Sequence, residues 1–308
     1  MCSTGISIPG SASTSRAVAP AVDRRHDRSG LGEVWRRLRG HRGAVLGGVW
    51  LLLASVVTIA GPLFYAIPHE QVDLLAPLAL PGPGHLLGTD ESGRDMLARL
   101  MHGGRVSLLV GLVSALVAIV LGTTIGAVAG HFGGRTDTIL MRMTDTFMSV
   151  PVFFFLLLLL ALFGGGVVVL VLGIGWTSWM GVSRVVRSEV LRHRGMEFVT
   201  AARSIGVDEM HLLWRHLIPQ AFPSIIVAAT LGIAHAILAE TALSYLGIGI
   251  RAPLPSWGNL LSNAQNYMFS APYLAIYPGV LIMLTVLALN IFGDGLRDAL
   301  DPQFSSQA

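Results

Sequence analysis

The sequence predicts an all-α integral membrane protein: six transmembrane helices interrupted by one polar, helix-forming insert. Three observations predict it. The 308 residues are 53% hydrophobic and only 13% charged, about half the charged share of an ordinary soluble domain. The apolar residues gather in six runs, each near the roughly 20 residues that a helix needs to cross a bilayer. Between the fourth and fifth runs lies a polar segment, Arg187 to Gln220, which such a chain must place in water.

Composition excludes several classes. All 21 basic residues are arginine; a phosphate-binding P-loop ends in a lysine, so the chain carries none. Its single cysteine, Cys2, cannot form an intramolecular disulfide or a cysteine-built metal centre. The formal charge of +3 comes from arginines at predicted membrane edges rather than from a nucleic-acid-binding patch. No paired carboxylates, Ser/His arrangement or histidine cluster at a shared depth supports an active site, so no catalytic residue and no metal ligand is assigned.

Residues 1–43 read as an N-terminal tail, disordered to about residue 30. After that, Leu31, Val34, Trp35 and Leu38 alternate with Arg36, Arg37, Arg39 and Arg42 in a short amphipathic helix. Such a helix suits a membrane surface of anionic lipid; a solvated basic flank that sets topology is an equal reading. The membrane domain covers 44–292, with spans at about 44–67, 106–130, 137–163, 167–186, 221–247 and 272–292. Before the second span, Thr89 or Asp90 is expected to cap a short separate helix that runs to His102. Within that span Ser114, Ala118, Gly122, Gly126 and Gly130 recur every fourth residue, a stripe along which another helix can approach closely. Pro151 is expected to kink the third span or to end a first half-helix, and Asp145 to pair with Arg142. A second stripe in the fifth span runs Ala228, Gly232, Ala236, Glu240, Ser244. Residues 293–308 read as a polar tail.

Arginine placement sets the expected topology. Six spans put the N-tail, the 131–136 turn, the insert and the C-tail on one arginine-rich side. The opposite side holds only Arg94, Arg99, Arg105 and Arg251. Both termini and the insert are therefore expected in the cytoplasm.

The insert, at residues 187–220, reads as helix, glycine turn, helix. Phe198, Ala201, Ala202 and Ile205 give the first helix an apolar face, and Gly206 is suited to the left-handed conformation that ends it. Asp208 is the expected N-cap of a second helix that Pro219 stops. Ala201 and Ala202 would let the first helix sit deep in a groove, with Glu197 and Arg203 orienting it at the rim. A hairpin of this size is expected to have little core of its own, which argues for a partner.

Several stretches carry a family resemblance. They are Leu87-Gly88-Thr89-Asp90 with Gly93-Arg94-Asp95, Arg105-Val106-Ser107-Leu108, and Met141-Arg142 with Asp145 and Pro151. Others are Ala201-Ala202 with Gly206 and Ile218-Pro219, Glu240 through Gly247, Pro255-Ser256-Trp257-Gly258, and Gly293 through Pro302. In this order the chain resembles the C-type permease subunit of dipeptide and oligopeptide ABC importers, over about residues 40–303. The insert departs from the family pattern at Thr200, where a glutamate is usual, and at Ile218, where a leucine precedes the proline. The resemblance implies the type I ABC importer permease fold. It also implies a second, homologous permease, one or two ABC ATPase subunits that dock on the 196–219 loop, and an extracytoplasmic peptide-binding protein. ATP and Mg would be bound by the ATPases, with no cofactor on this chain. The ATPase-coupling candidates are Glu197, Thr200, Ala201, Ala202, Arg203, Gly206 and Pro219. Related permeases for nickel complexes or glutathione are the nearest alternative. An ion-driven secondary transporter is a further one, which should show several intramembrane carboxylates.

Within the membrane Glu240, Ser244 and His235 are candidates for the translocation pathway. Glu240 would attract a peptide ammonium; a structural hydrogen bond to a neighbouring helix or sibling subunit is the favoured reading. His235, a single imidazole, is expected to be packed or hydrogen-bonded. On the outer side Asp90, Arg94, Asp95 and Trp257 are candidate contacts for the binding protein, and Trp257 equally suits interfacial anchoring.

Overall fold

The computed structural model describes residues 30–300, and no strand occurs among them. The N-tail before residue 30, with Cys2, and the last residues after 300 lie outside the described residues. Eleven helices are labelled in chain order: α1 Gly30–Gly40, α2 Arg42–Phe64, α3 Met96–Phe132, α4 Gly134–Met148, α5 Val152–Phe163, α6 Val167–Arg194, α7 Glu197–Ser204, α8 Glu209–Leu212, α9 Ile218–Tyr245, α10 Trp257–Ala264 and α11 Tyr273–Leu300. Five helices, counting α8 through α9 as one, are long and apolar enough to cross a membrane. The number is six if α4 and α5, bent by 76° at their junction, form one broken span.

The central rod is α3, which lies along α6 and also touches α9 and α2. Its small-residue stripe explains the closeness. A Cβ on Gly122 would stand 2.7 Å from the Trp179 carbonyl oxygen, and one on Gly130 would stand 2.9 Å from that of Arg187. Backbone therefore meets backbone along this seam, and Ser114 Oγ donates to the Val171 carbonyl at 3.2 Å. On the other flank α11 packs against α2 and α9. The apolar side of α1 docks on α11 through Leu38, Val34 and Leu296, which leaves Trp35 exposed with Arg39 stacked on its ring at 4.9 Å.

Several boundaries differ from the expectations. The second long helix begins at Met96, not near 106, and takes in the short helix expected before it. Asp95, rather than Thr89 or Asp90, is its N-cap, accepting from the Ala98 amide at 2.8 Å. Ser149 and Val150 separate α4 from α5, and Pro151 caps α5 without a side-chain hydrogen bond. Asp145 pairs with Arg184 at 2.6 Å rather than with Arg142, and Asp137 pairs with Arg187 at 2.5 Å, so α4 is strapped to α6 by two ion pairs. Residues 293–300, expected as tail, are the last two turns of α11. Pro219 does not stop a helix: it lies in the first turn of α9, where a missing N–H costs little. A π-helical turn over Leu213–Leu217 joins α8 to α9 and takes up the change of hydrogen-bond register.

Candidate functional site

The insert folds as a hairpin of α7 and α8 whose root is buried and whose tip is open. Val199, Leu212, Leu213 and Leu217 are fully buried, packed with Val186 and Val190 of α6, Ala127 of α3 and Ala221 of α9. Each such side chain contributes about 1.5–3 kcal/mol relative to exposure. The hairpin thus has little core of its own and shares one with the long helices. Gly206 takes φ 83° at the turn, a conformation only glycine adopts cheaply. Asp208 caps α8, accepting from the Met210 amide at 3.0 Å and the His211 amide at 3.2 Å.

Because Val199 faces inward, the opposite face of α7 faces out. Phe198 is 41% exposed and Ile205 82% exposed, with Ala201 exposed between them, while Ala202 is half-buried. On the second arm Met210 and Trp214 are also exposed. Glu197 and Thr200 are exposed, as is Pro219 beyond the π-helical turn. Arg203 does not stand free at a rim. Its Nε and Nη2 donate to the Glu209 carboxylate at 2.9 and 3.0 Å, and the same carboxylate meets His131 Nε2 at 2.8 Å. Sequence reasoning missed Glu209 and His131. The first sits beside the capping Asp208 and the second, in a stretch expected as a turn, lies in the last turn of α3, and only the folded chain brings them together.

Within the bundle Glu240 is fully buried. Ser107 Oγ donates to one carboxylate oxygen at 2.9 Å and Ser244 Oγ to the other at 2.7 Å. The Trp257 amide donates to Ser107 Oγ at 3.2 Å and the Ile250 amide to Ser244 Oγ at 3.0 Å. Glu240 and Ser244 therefore tie α3, α9 and α10 together inside the bundle. His235 departs from expectation in the other direction: it is exposed.

At the end of the bundle opposite the hairpin, residues 68–95 and α10 form a cap. Asp90, 1% exposed, accepts from Arg94 Nε at 2.8 Å and is ion-paired with the buried Arg99. Asp95 is fully buried and holds the Tyr65 hydroxyl and His85 Nδ1, both at 2.9 Å. Burial and the Asp95 carboxylate push the Tyr65 phenol up to about 12. His69 stacks on His102 with ring centroids 4.0 Å apart. Burial holds His69 below its usual value; Glu70 opposes the shift and Arg99 adds to it. Trp257, expected at the outer surface, is fully buried and donates from Nε1 to the Leu100 carbonyl at 3.0 Å. Asp90, Asp95 and Trp257 thus bind the cap together internally, and Arg94 alone of the four keeps partial exposure.

Comparison with known proteins agrees with this architecture. Residues 122–306 match the family of binding-protein-dependent transport system inner membrane components, and residues 29–81 match the N-terminal transmembrane domain of oligopeptide transport permease C. The oligopeptide transport system permease protein OppC of Bacillus subtilis is 35% identical over 87% of this chain and 88% of its own length. The dipeptide transport system permease protein DppC of the same organism is 36% identical over 88% and 85%. The glutathione transport system permease protein GsiD of Pectobacterium atrosepticum is 36% identical over 94% and 97%. Among solved structures, the inward-facing MetNI methionine ABC transporter is similar with a TM-score of 0.52 at 17% identity, over 67% of this chain and 98% of that one, a likeness of fold. A helical bundle of this pattern, matched over most of its length, is a multi-pass inner-membrane protein and belongs to the family of binding-protein-dependent transport system inner membrane components.

Proposed function

We propose that this chain is the permease subunit of an ATP-driven importer of dipeptides or oligopeptides, supplying half of the translocation pathway. The observation that carries the reading is the outward apolar face of the hairpin, with Phe198 41% exposed on α7 and Ile205 82% exposed just past its end, while the other face of α7 is rooted in the bundle. A helix both rigidly held and apolar outward is suited to a groove on another protein. Its occupant is an ABC ATPase, one or two of which bind ATP and Mg, since this lysine-free chain cannot bind nucleotide by a P-loop. The arginine asymmetry supports a cytoplasmic position for the hairpin and both termini. A second, homologous permease completes the pathway, and an extracytoplasmic binding protein delivers the peptide. The chain itself performs no catalysis and holds no cofactor. The names of the oligopeptide and dipeptide relatives support peptide as cargo; the glutathione relative, similar over 94% of the chain, makes that tripeptide the second reading.

Purification from membranes should recover a sibling permease and a nucleotide-hydrolysing subunit. Proteoliposomes of that complex with its binding protein should take up labelled peptide only with ATP inside. Recovery of the intact bundle with no ATPase, or uptake that persists without one, refutes the reading.

A further inference from the structure

Resting on the ATPase-docking role of the hairpin, we propose that His131, Glu209 and Arg203 form a transmission node that makes α3 a load path from the hairpin to the far end of the bundle. The chain joins α7 to α6 and α8 to α9; no covalent segment joins either to α3. Apolar packing of the hairpin root against Ala127 brings them together without a directed bond, and Glu209 adds the polar, directional junction. Its carboxylate accepts two hydrogen bonds from one edge of the Arg203 guanidinium, at 2.9 and 3.0 Å, and holds His131 Nε2 at 2.8 Å. One carboxylate therefore links the coupling helix, the start of α8 and the last turn of α3.

The His131 side chain is 1% exposed, and its Nδ1 is buried with no partner among the described residues. Its Nε2 is directed at the carboxylate that already fixes Arg203. The joint itself is partly wet, with Glu209 and Arg203 side chains 47% and 35% exposed, so it lies at the surface of the root rather than within its core. A two-point guanidinium–carboxylate pair has a defined plane. A rotation of α7 therefore turns the carboxylate and carries the imidazole, and α3, with it.

What α3 then carries is visible at its other end. The helix has 37 residues, roughly 55 Å at 1.5 Å per residue. Its N-terminus is Asp95, inside the cap, and Ser107 bonds both Glu240 and the first residue of α10. Movement at the hairpin reaches the cap along one unbroken rod.

The test uses the whole complex in nanodiscs, with Cys2→Ser in the permease and spin labels at Thr124→Cys on α3 and Ser204→Cys on α7, both exposed positions. The distance between labels should stay the same with and without ATP in the parent chain. With His131→Ala it should broaden or shift on ATP. His131→Gln, whose amide nitrogen reaches the place of Nε2, should restore the parent behaviour; His131→Asn, which is too short, should not. His131→Ala should keep the complex and its basal ATP hydrolysis while uptake per ATP falls on the order of tenfold, the factor one hydrogen bond to a charged group supplies. The proposal is overturned if the parent distance itself changes on ATP, if His131→Ala matches the parent in distance and in uptake per ATP, or if it loses complex and uptake in equal proportion. A parent complex that recovers no ATPase refutes the docking role and this proposal with it. A wrong choice of cargo leaves the distance measurement intact.

Discussion

The cap and the hairpin are both dense in charge and both rich in sequence motifs, yet they use their residues in opposite ways. In the cap, Asp90, Asp95, Arg99 and Trp257 turn inward: Asp90 pairs with Arg99, Asp95 holds Tyr65 and His85, and Trp257 donates to the Leu100 carbonyl. In the hairpin, the apolar side chains Phe198 and Ile205 turn outward, and only the root residues around Val199 are sealed. The difference teaches that a distinctive motif marks a constraint without saying whether the constraint is internal or is imposed by a partner. Burial separates the two: charge hidden in the cap maintains its shape, and grease shown by the hairpin is free to meet another surface.

Substitutions should sharpen that contrast, beginning with the largest effect on the fold. Asp90→Ala strands the buried Arg99 guanidinium, and losing one partner of a buried pair costs about 3–5 kcal/mol. Thermal unfolding of the purified chain should fall accordingly, with Asp90→Asn in between. Glu240→Ala removes the acceptor for two buried serine hydroxyls, at about 1–3 kcal/mol, and Glu240→Gln, which keeps one acceptor, should lose less. Uptake and complex yield should fall together in both; uptake lost at full yield would return Glu240 to the passage.

A smaller effect is expected from acid in the cap. Burial lowers the pKa of His69, so the unfolded state binds its proton first as pH falls. The stability linked to His69 is complete above its unfolded value of 6.5 and is lost as pH drops through the lower folded one. Amide protection across residues 68–95, taken relative to the intrinsic exchange rate at each pH, should fall below about pH 6.5, and His69→Gln should flatten the response. The neighbours Glu70, Arg99 and His102 should be kept intact in that experiment. The smallest effect on the fold belongs to Ile205→Asp, which should stay within about 0.5 kcal/mol of the parent while ATPase recovery in pull-downs collapses. A large loss of stability there would erase the distinction between cap and hairpin.

Much of the fold was legible because hydropathy and small-residue spacing are local signals. The stripe from Ser114 to Gly130 foretold a close helix approach, which α6 supplies, and Gly206 and Asp208 foretold the turn and cap of the hairpin. The sequence was least informative where one local signal masked another. The polar run Arg99 to Arg105 concealed ten further residues of α3, since Arg99 is neutralised by an aspartate from the preceding loop. Pro219 read as a terminator because nothing in composition announces a π-helical turn that absorbs it. The cap residues read as contacts because their ion pairs close only in three dimensions. His131 and Glu209 lie too far apart in the chain for spacing to join them.

The elbow between α4 and α5 has a further consequence. Pro151 offers no amide proton, and the opening turn of α5 has no side chain to cover its own. Hydrocarbon cannot tolerate such bare backbone. Wherever that corner sits at depth, it must touch a second polypeptide or a water-filled cleft, so a solitary copy dissolved in lipid would be an unfinished object.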